Sequence, residues 1–196
     1  MEASKYSDHE LVKRFIDGEQ SSFEVLIKRH KDKVYTYIFL MVKNSQLAED
    51  IFQETFIKVI KSLHEGRYQE NGKFISWVVR IAHNLIIDHF RKEKQMKTLS
   101  CDDHEKELLN STRFSEMTIE DSIIQDQITM DVRKLVDFLP EEQKEVIIMR
   151  HYLDLSFKEI ADQTNVSINT ALGRMRYALI NLRKMVEDKK LSLTVK

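Results

Sequence analysis

One proline and four glycines are all the backbone punctuation that 196 residues carry. A β-sandwich or small barrel needs turn residues every 8 to 12 positions or so, which so few breakers cannot supply. With 42% hydrophobic and 32% charged residues, the chain reads as an all-α protein in water. Helix starts are legible. Ser7 with Glu10, Ser21 with Glu24 and Ser156 with Glu159 have the Ser-x-x-Glu spacing, in which each side chain bonds a backbone N–H that the helix leaves unpaired. Apolar residues come next at helical spacing, as in Leu11, Val12, Phe15 and Ile16, then Phe23, Leu26 and Ile27, then Val34, Ile38 and Met41.

Two small helical modules are expected, joined by an acidic flexible linker. The first occupies residues 1–96. From 97 to 118 the pattern lapses into Ser, Thr, Asn and acidic residues. Helical periodicity resumes near Ile119 and marks a second module over 119–187, with Pro140 suited to the first turn of a helix and 188–196 a frayed tail. Charge is unevenly spread. Residues 73–97 hold six Lys/Arg against two Asp/Glu and residues 156–184 five against two, whereas 98–131 hold two against nine. The overall charge of −1 therefore conceals two basic surfaces suited to polyanions. The longest nearly apolar run, 34–42, is less than half the roughly 20 residues that cross a bilayer, and residues 1–8 lack a secretory core, so no membrane insertion and a cytoplasmic location are expected. Cys101, the one cysteine, can form neither an internal disulfide nor a cysteine-based zinc site, and without a basic neighbour it makes a poor redox switch.

Residues 156–184 have the anatomy of a helix-turn-helix. Phe157, Ile160 and Ala161 give the first helix a buried side, Asn165 suits a left-handed turn, and Ser167 can cap the second helix. On a helical wheel Ile168, Ala171, Leu172, Met175, Ala178, Leu179 and Leu182 form one face, with Asn169, Thr170, Gly173, Arg176 and Tyr177 opposite. Short residues at the helix start permit close approach to a major groove, where Asn and Arg match base edges and phosphates.

Two more helices carry patterned polar faces. In residues 74–94, Phe74, Val78, Ile81, Ala82 and Leu85 form the core side, and Trp77, Arg80, Asn84, Asp88 and Arg91 make an adjoining stripe. An aromatic ring, two guanidinium groups, an amide and a carboxylate in line can stack on unpaired bases, bond their edges and neutralise phosphates. The polar loop before it, with Arg67, Tyr68, Asn71 and Lys73, is a place for an extruded base. In residues 48–60, Phe52, Phe56, Val59 and Ile60 face inward while Asp50, Gln53 and Glu54 lie together outside, placed to meet Lys or Arg of a protein partner.

Taken together, AEDIFQETFIKVI (48–60), FISWVVRIAHNLIIDHFRKEK (74–94) and LPEEQKEVIIMRHYLDLSFKEIADQTNVS (139–167) resemble, in order, the segments of a bacterial RNA polymerase sigma factor of the extracytoplasmic-function group. The likeness includes Trp-x-x-Arg-Ile-Ala-x-Asn at 77–84 and Asp-x-x-Arg at 88–91. It implies that Asp50, Gln53 and Glu54 contact the clamp helices of the largest polymerase subunit. It places Arg67, Tyr68, Asn71, Lys73, Trp77, Arg80, Asn84, Asp88 and Arg91 on or near the minus-ten strand, and Asn169, Thr170, Gly173, Arg174, Arg176 and Tyr177 at the minus-thirty-five duplex. Core RNA polymerase and promoter DNA are the implied partners, with an anti-sigma factor as in many relatives, and no cofactor, metal, small-molecule substrate or catalysis. Leu172-Gly173 departs from the basic run usual in the recognition helix, which shifts base reading toward Asn169, Arg176 and Tyr177.

Two other readings compete. A promoter-binding regulator that never joins polymerase would use the helix-turn-helix but leave the acidic helix and the Trp77 stripe without a role. A metal-dependent helical phosphohydrolase would draw on His83, Asp88 and His89 with Asp50 or Glu54, although His83 and His89 stand about 120 degrees apart on the wheel, a poor geometry for one ion.

Overall fold

The structure, a computed structural model, describes residues 5–68, 73–99 and 135–188. Seven helices are described: α1 (Asp8–Ile16), α2 (Gln20–Val42), α3 (Ser45–His64), α4 (Phe74–Leu99), α5 (Glu141–His151), α6 (Phe157–Thr164) and α7 (Ile168–Asp188). A short helical turn at 135–137 precedes α5. Cys101 and most of the expected linker lie outside the described residues, while α4 runs to Leu99, three residues beyond the expected end of the first module.

Two of the three expected capping boxes form, at Ser7 with Glu10 and Ser156 with Glu159. The third does not. Gly18 takes a φ of 103°, so α2 begins at Gln20 with Glu19 as its cap, and Ser21, already inside the helix, donates its hydroxyl to Glu19 at 3.2 Å. Pro140 stands at the cap of α5 rather than in its first turn. Asn165 adopts the left-handed conformation (φ 52°, ψ 44°) that separates α6 from α7, and Ser167 accepts from the Thr170 N–H at 3.1 Å.

α1 to α4 pack around Leu11, Leu26, Val34, Ile38, Val59, Leu63, Phe74 and Val78, all essentially free of solvent contact. Asp8 ties α1 to α2 through Arg29 and through His30, 2.7 Å away. Burial alone would raise the Asp8 carboxyl. The His30 and Arg29 contacts outweigh it and hold the group below the usual carboxylate range.

The two halves do not stay apart. In α5 six consecutive residues, Lys144 to Met149, are buried, a pattern no amphipathic surface helix shows. Val146, Ile148 and Met149 join the core of the N-terminal helices, while Ile147 packs in a second cluster with Leu139 and Ala178. α5 is thus shared between halves. Burial and the neighbouring Lys43 depress the Lys144 ammonium, against the pull of Asp137 and Glu141. At this seam His83, 6% exposed, has Nδ1 within 3.1 Å of the Tyr37 hydroxyl and 3.0 Å of Glu145, itself 8% exposed. One ring nitrogen serves only one of these neighbours at a time. Burial, then the Glu145 charge, pushes the Tyr37 phenol well above its ordinary range.

Candidate nucleic-acid and polymerase interface

α3 takes its position from Ala48, Ile51, Thr55, Phe56, Val59 and Leu63, which are buried along one side. Asp50, Gln53 and Glu54 are left exposed together on the other, as expected. Glu54 pairs with Lys58, one turn on, at 3.2 Å. Ile57, 64% exposed, continues the same ridge, and wheel reasoning passed over it. An acidic ridge with an apolar end suits a basic helix of another protein.

In α4 the stripe is brought together as the spacing requires. Arg80, Asn84, Asp88 and Arg91 are exposed, with Arg91 3.5 Å from Asp88. Trp77 is half-buried against Tyr68 (ring centroids 4.5 Å apart) and Phe74 (6.0 Å), so its ring forms the wall of an aromatic cluster at the start of the stripe. Tyr68 belongs to this cluster, Arg67 is exposed and pairs with Glu65, and Lys73 pairs with Glu159. Asn71 lies outside the described residues. The arrangement offers rings for stacking and cations for phosphates along one edge.

On α7 the wheel needs correction. Ala171 and Ala178 are buried, but Leu172 and Leu179 are each 43% exposed, and Ile168 is exposed too. The small Ala171 and Ala178 let α7 lie close on its neighbours, so the contact stripe is narrower than the apolar face. Ile16, at the end of α1, is likewise exposed rather than core. Asn169, Thr170, Arg176 and Tyr177 are exposed and Gly173 partly so. Arg174 is drawn aside, its guanidinium 3.5 Å from Glu142 of α5.

His83 is committed to Tyr37 and Glu145, while Asp88 is exposed on the α4 stripe. Among the described residues no group of three or more His, Cys, Asp or Glu side chains could hold one ion. Among those residues, too, no helix is long and apolar enough to cross a membrane.

Among the described residues the secondary structure is all helix, and it presents an acidic ridge, a Trp-led stripe and a helix-turn-helix, the arrangement expected of a sigma-type initiation factor. Residues 26–96 match the Sigma-70 region 2 family and residues 129–177 the Sigma-70 region 4 family. The ECF RNA polymerase sigma factor SigW of Bacillus subtilis is 30% identical over 182 residues, spanning 90% of this chain and 95% of that protein. The RNA polymerase sigma factor SigV of the same organism is 32% identical, spanning 85% and 92%. In fold, the chain is similar to the sigma factor RpoE in its complex with the anti-sigma factor NepR from Bartonella quintana (TM-score 0.67, 17% identity, 84% of this chain and 96% of that one). The chain belongs to the extracytoplasmic-function group of RNA polymerase sigma factors. Its function is to join core RNA polymerase and direct it to promoters.

Proposed function

We propose that this sigma factor divides its work among three surfaces. Asp50, Gln53 and Glu54 dock on the clamp helices of the polymerase largest subunit. Arg67, Tyr68, Asn71, Lys73, Trp77, Arg80, Asn84, Asp88 and Arg91 capture the minus-ten strand as it leaves the duplex. Asn169, Thr170, Arg176 and Tyr177 read the minus-thirty-five element, with Gly173 allowing close approach and Arg174 released from Glu142 to reach a phosphate. The observation that carries this reading is the α4 stripe: four polar side chains stay exposed in line beside a ring half-buried among other rings. A helix needing only solubility has no use for that order.

The N-terminal unit extends through α4 to Leu99, and the C-terminal unit takes in α5 to α7. The protein has no chemistry of its own and acts in the cytoplasm, where polymerase is. RpoE in complex with NepR supports an anti-sigma factor as a further partner here. Run-off transcription with purified core enzyme on a library of random upstream sequences tests the reading and reports the preferred promoter. Selection of two sequence blocks is expected. Selection of a single block, unchanged when α7 residues are replaced, would overturn the division.

A further inference from the structure

The ring cluster at the start of α4 is held from behind by a residue that belongs to neither the stripe nor its loop. Phe74, 1% exposed, is the ring against which both Tyr68 (centroids 5.9 Å apart) and Trp77 (6.0 Å) pack, and its third aromatic neighbour is His30 of α2, at 5.6 Å. His30 falls in Lys-Arg-His-Lys-Asp-Lys, residues 28–33, a run that reads as solvated charge. The other five are exposed, and His30 alone is buried. Its Nε2 lies 2.7 Å from Asp8 Oδ2, and because a carboxylate only accepts, that nitrogen carries the hydrogen.

Asp8 is itself fixed in place. It opens α1 at a helix start that Ser7 and Glu10 close reciprocally, where a negative charge is favoured. Arg29 pairs with its other oxygen and donates to the Tyr6 carbonyl at 2.9 Å, and the Arg14 guanidinium stands 3.8 Å over the Tyr6 ring. Contact therefore runs unbroken from Asp8 to His30, to Phe74, to Trp77.

We infer that Asp8 and His30 are positioning residues for capture of the minus-ten strand: they hold Phe74 from beneath and so set the tilt of Trp77 and Tyr68, the surface on which an unpaired base stacks. The inference rests on the assignment of that strand to α4. Filling space beside Phe74 would be served by a leucine at position 30, which has no hydrogen bond to satisfy. A histidine tethered to a carboxylate is held in one orientation, since turning the ring away would leave a buried polar group unpaired. Such a tether matters where the rings above have little else to hold them. Phe74 is the first residue of α4 and Tyr68 lies in the loop after α3, so neither sits inside a helix. Tyr68 and Trp77 meet at 48°, and aromatic stacking depends on that kind of angle.

Trp77 is the only tryptophan in the chain, so its fluorescence reports on this surface directly. His30→Ala, Asp8→Ala and His30→Gln, which keeps a donor for Asp8 and removes the ring, are compared with Val59→Ala, a destabilising core truncation that leaves these rings in place. In the free full chain, at a temperature where circular dichroism shows each variant folded, the first three should shift Trp77 emission to the red and raise its quenching by acrylamide. Val59→Ala should do neither. If His30→Ala does not fold, His30→Gln and Asp8→Ala carry the test. In holoenzyme made with core polymerase, on a promoter selected from the random library, the same three should leave filter retention of the duplex unchanged and reduce opening, read by permanganate. Removing a stacked ring costs roughly 5- to 150-fold, so displacing one should cost about three- to tenfold. In a Trp77→Ala background His30→Ala should give no further loss of opening, because the ring it positions is gone. Unchanged Trp77 emission, an opening loss shared by Val59→Ala, or full additivity with Trp77→Ala would each overturn the inference. The two readings fail separately: promoter opening by Trp77→Ala at the parent's level defeats the strand assignment, whereas a Trp77→Ala loss with no response to His30 substitution defeats the positioning role alone.

Discussion

Reversing the two carboxylates of the acidic ridge, Asp50→Lys with Glu54→Lys, separates docking from folding by magnitude. Neither residue is buried, and the pair that Glu54 makes with Lys58 has side chains 54% and 49% exposed. Losing an exposed i, i+4 pair costs about 0.3–0.5 kcal/mol, and setting like charges one turn apart costs a similar amount. The fold should therefore weaken by about 1 kcal/mol at most, a shift of a few degrees in the melting temperature. At an interface, a charged hydrogen bond contributes about 1.5–3 kcal/mol. Two lost contacts make about 3–6 kcal/mol, or roughly a 10²–10⁴-fold rise in Kd. Fluorescence competition for core polymerase, paired with a thermal melt by circular dichroism, measures both terms. A Kd within threefold of the parent, with the melt unchanged, would refute the assignment of α3 to polymerase.

Other substitutions probe the remaining surfaces. Trp77→Ala should impair promoter opening, read by permanganate reactivity, more than initial duplex binding, read by filter retention, and should lower the melting temperature a little because the ring packs on Tyr68 and Phe74. Equal losses in both assays would remove Trp77 from strand capture. Lys144→Met should raise thermal stability, since Asp137 keeps Lys43 as a partner and a buried charge is replaced by an apolar chain of similar length. A drop of several degrees would show that the Lys144 charge is needed. Asp8→Asn should destabilise the chain at neutral pH. Because the folded Asp8 carboxyl titrates below its ordinary value, its contribution is complete above about pH 4 and disappears as the pH falls through the folded-state value. Denaturant melts of parent and variant should converge in acid, and a constant gap down to pH 2 would refute the linkage.

The helices and outward faces of α3 and α4 were legible because hydrophobic spacing specifies which side a helix turns inward, and short-range caps at Ser7 and Ser156 depend on neighbours three residues away. Ser21 misled because the same spacing cannot register that Gly18, at positive φ, starts the helix early. Leu172 and Leu179 misled because an apolar residue on a wheel carries no statement of what covers it, and the close approach at Ala171 and Ala178 leaves them to the side. The seam was illegible for the same reason in reverse. Val79, His83 and Ile86 recur at spacings of four and three, yet only the folded chain brings Glu145 to His83 across the gap between halves. Lys144 and Glu145 look like ordinary surface charges in sequence, and their burial comes from a packing partner dozens of residues away in the chain.

α5 imposes a condition on anyone who would retarget this factor by transplanting promoter-reading parts from a relative. A cut at Pro140 would take α5 with the graft, so the donor would have to bring side chains that fit the recipient's Tyr37 and His83. A cut after His151 would keep the native Glu145, Val146 and Met149 in place but ask a foreign α7 to seat on Ile147 and Leu139 and a foreign α6 to fit the N-terminal core through its counterparts of Ile160 and Ala161. The workable splice points in this polypeptide are set by which neighbour each side of one eleven-residue helix must satisfy.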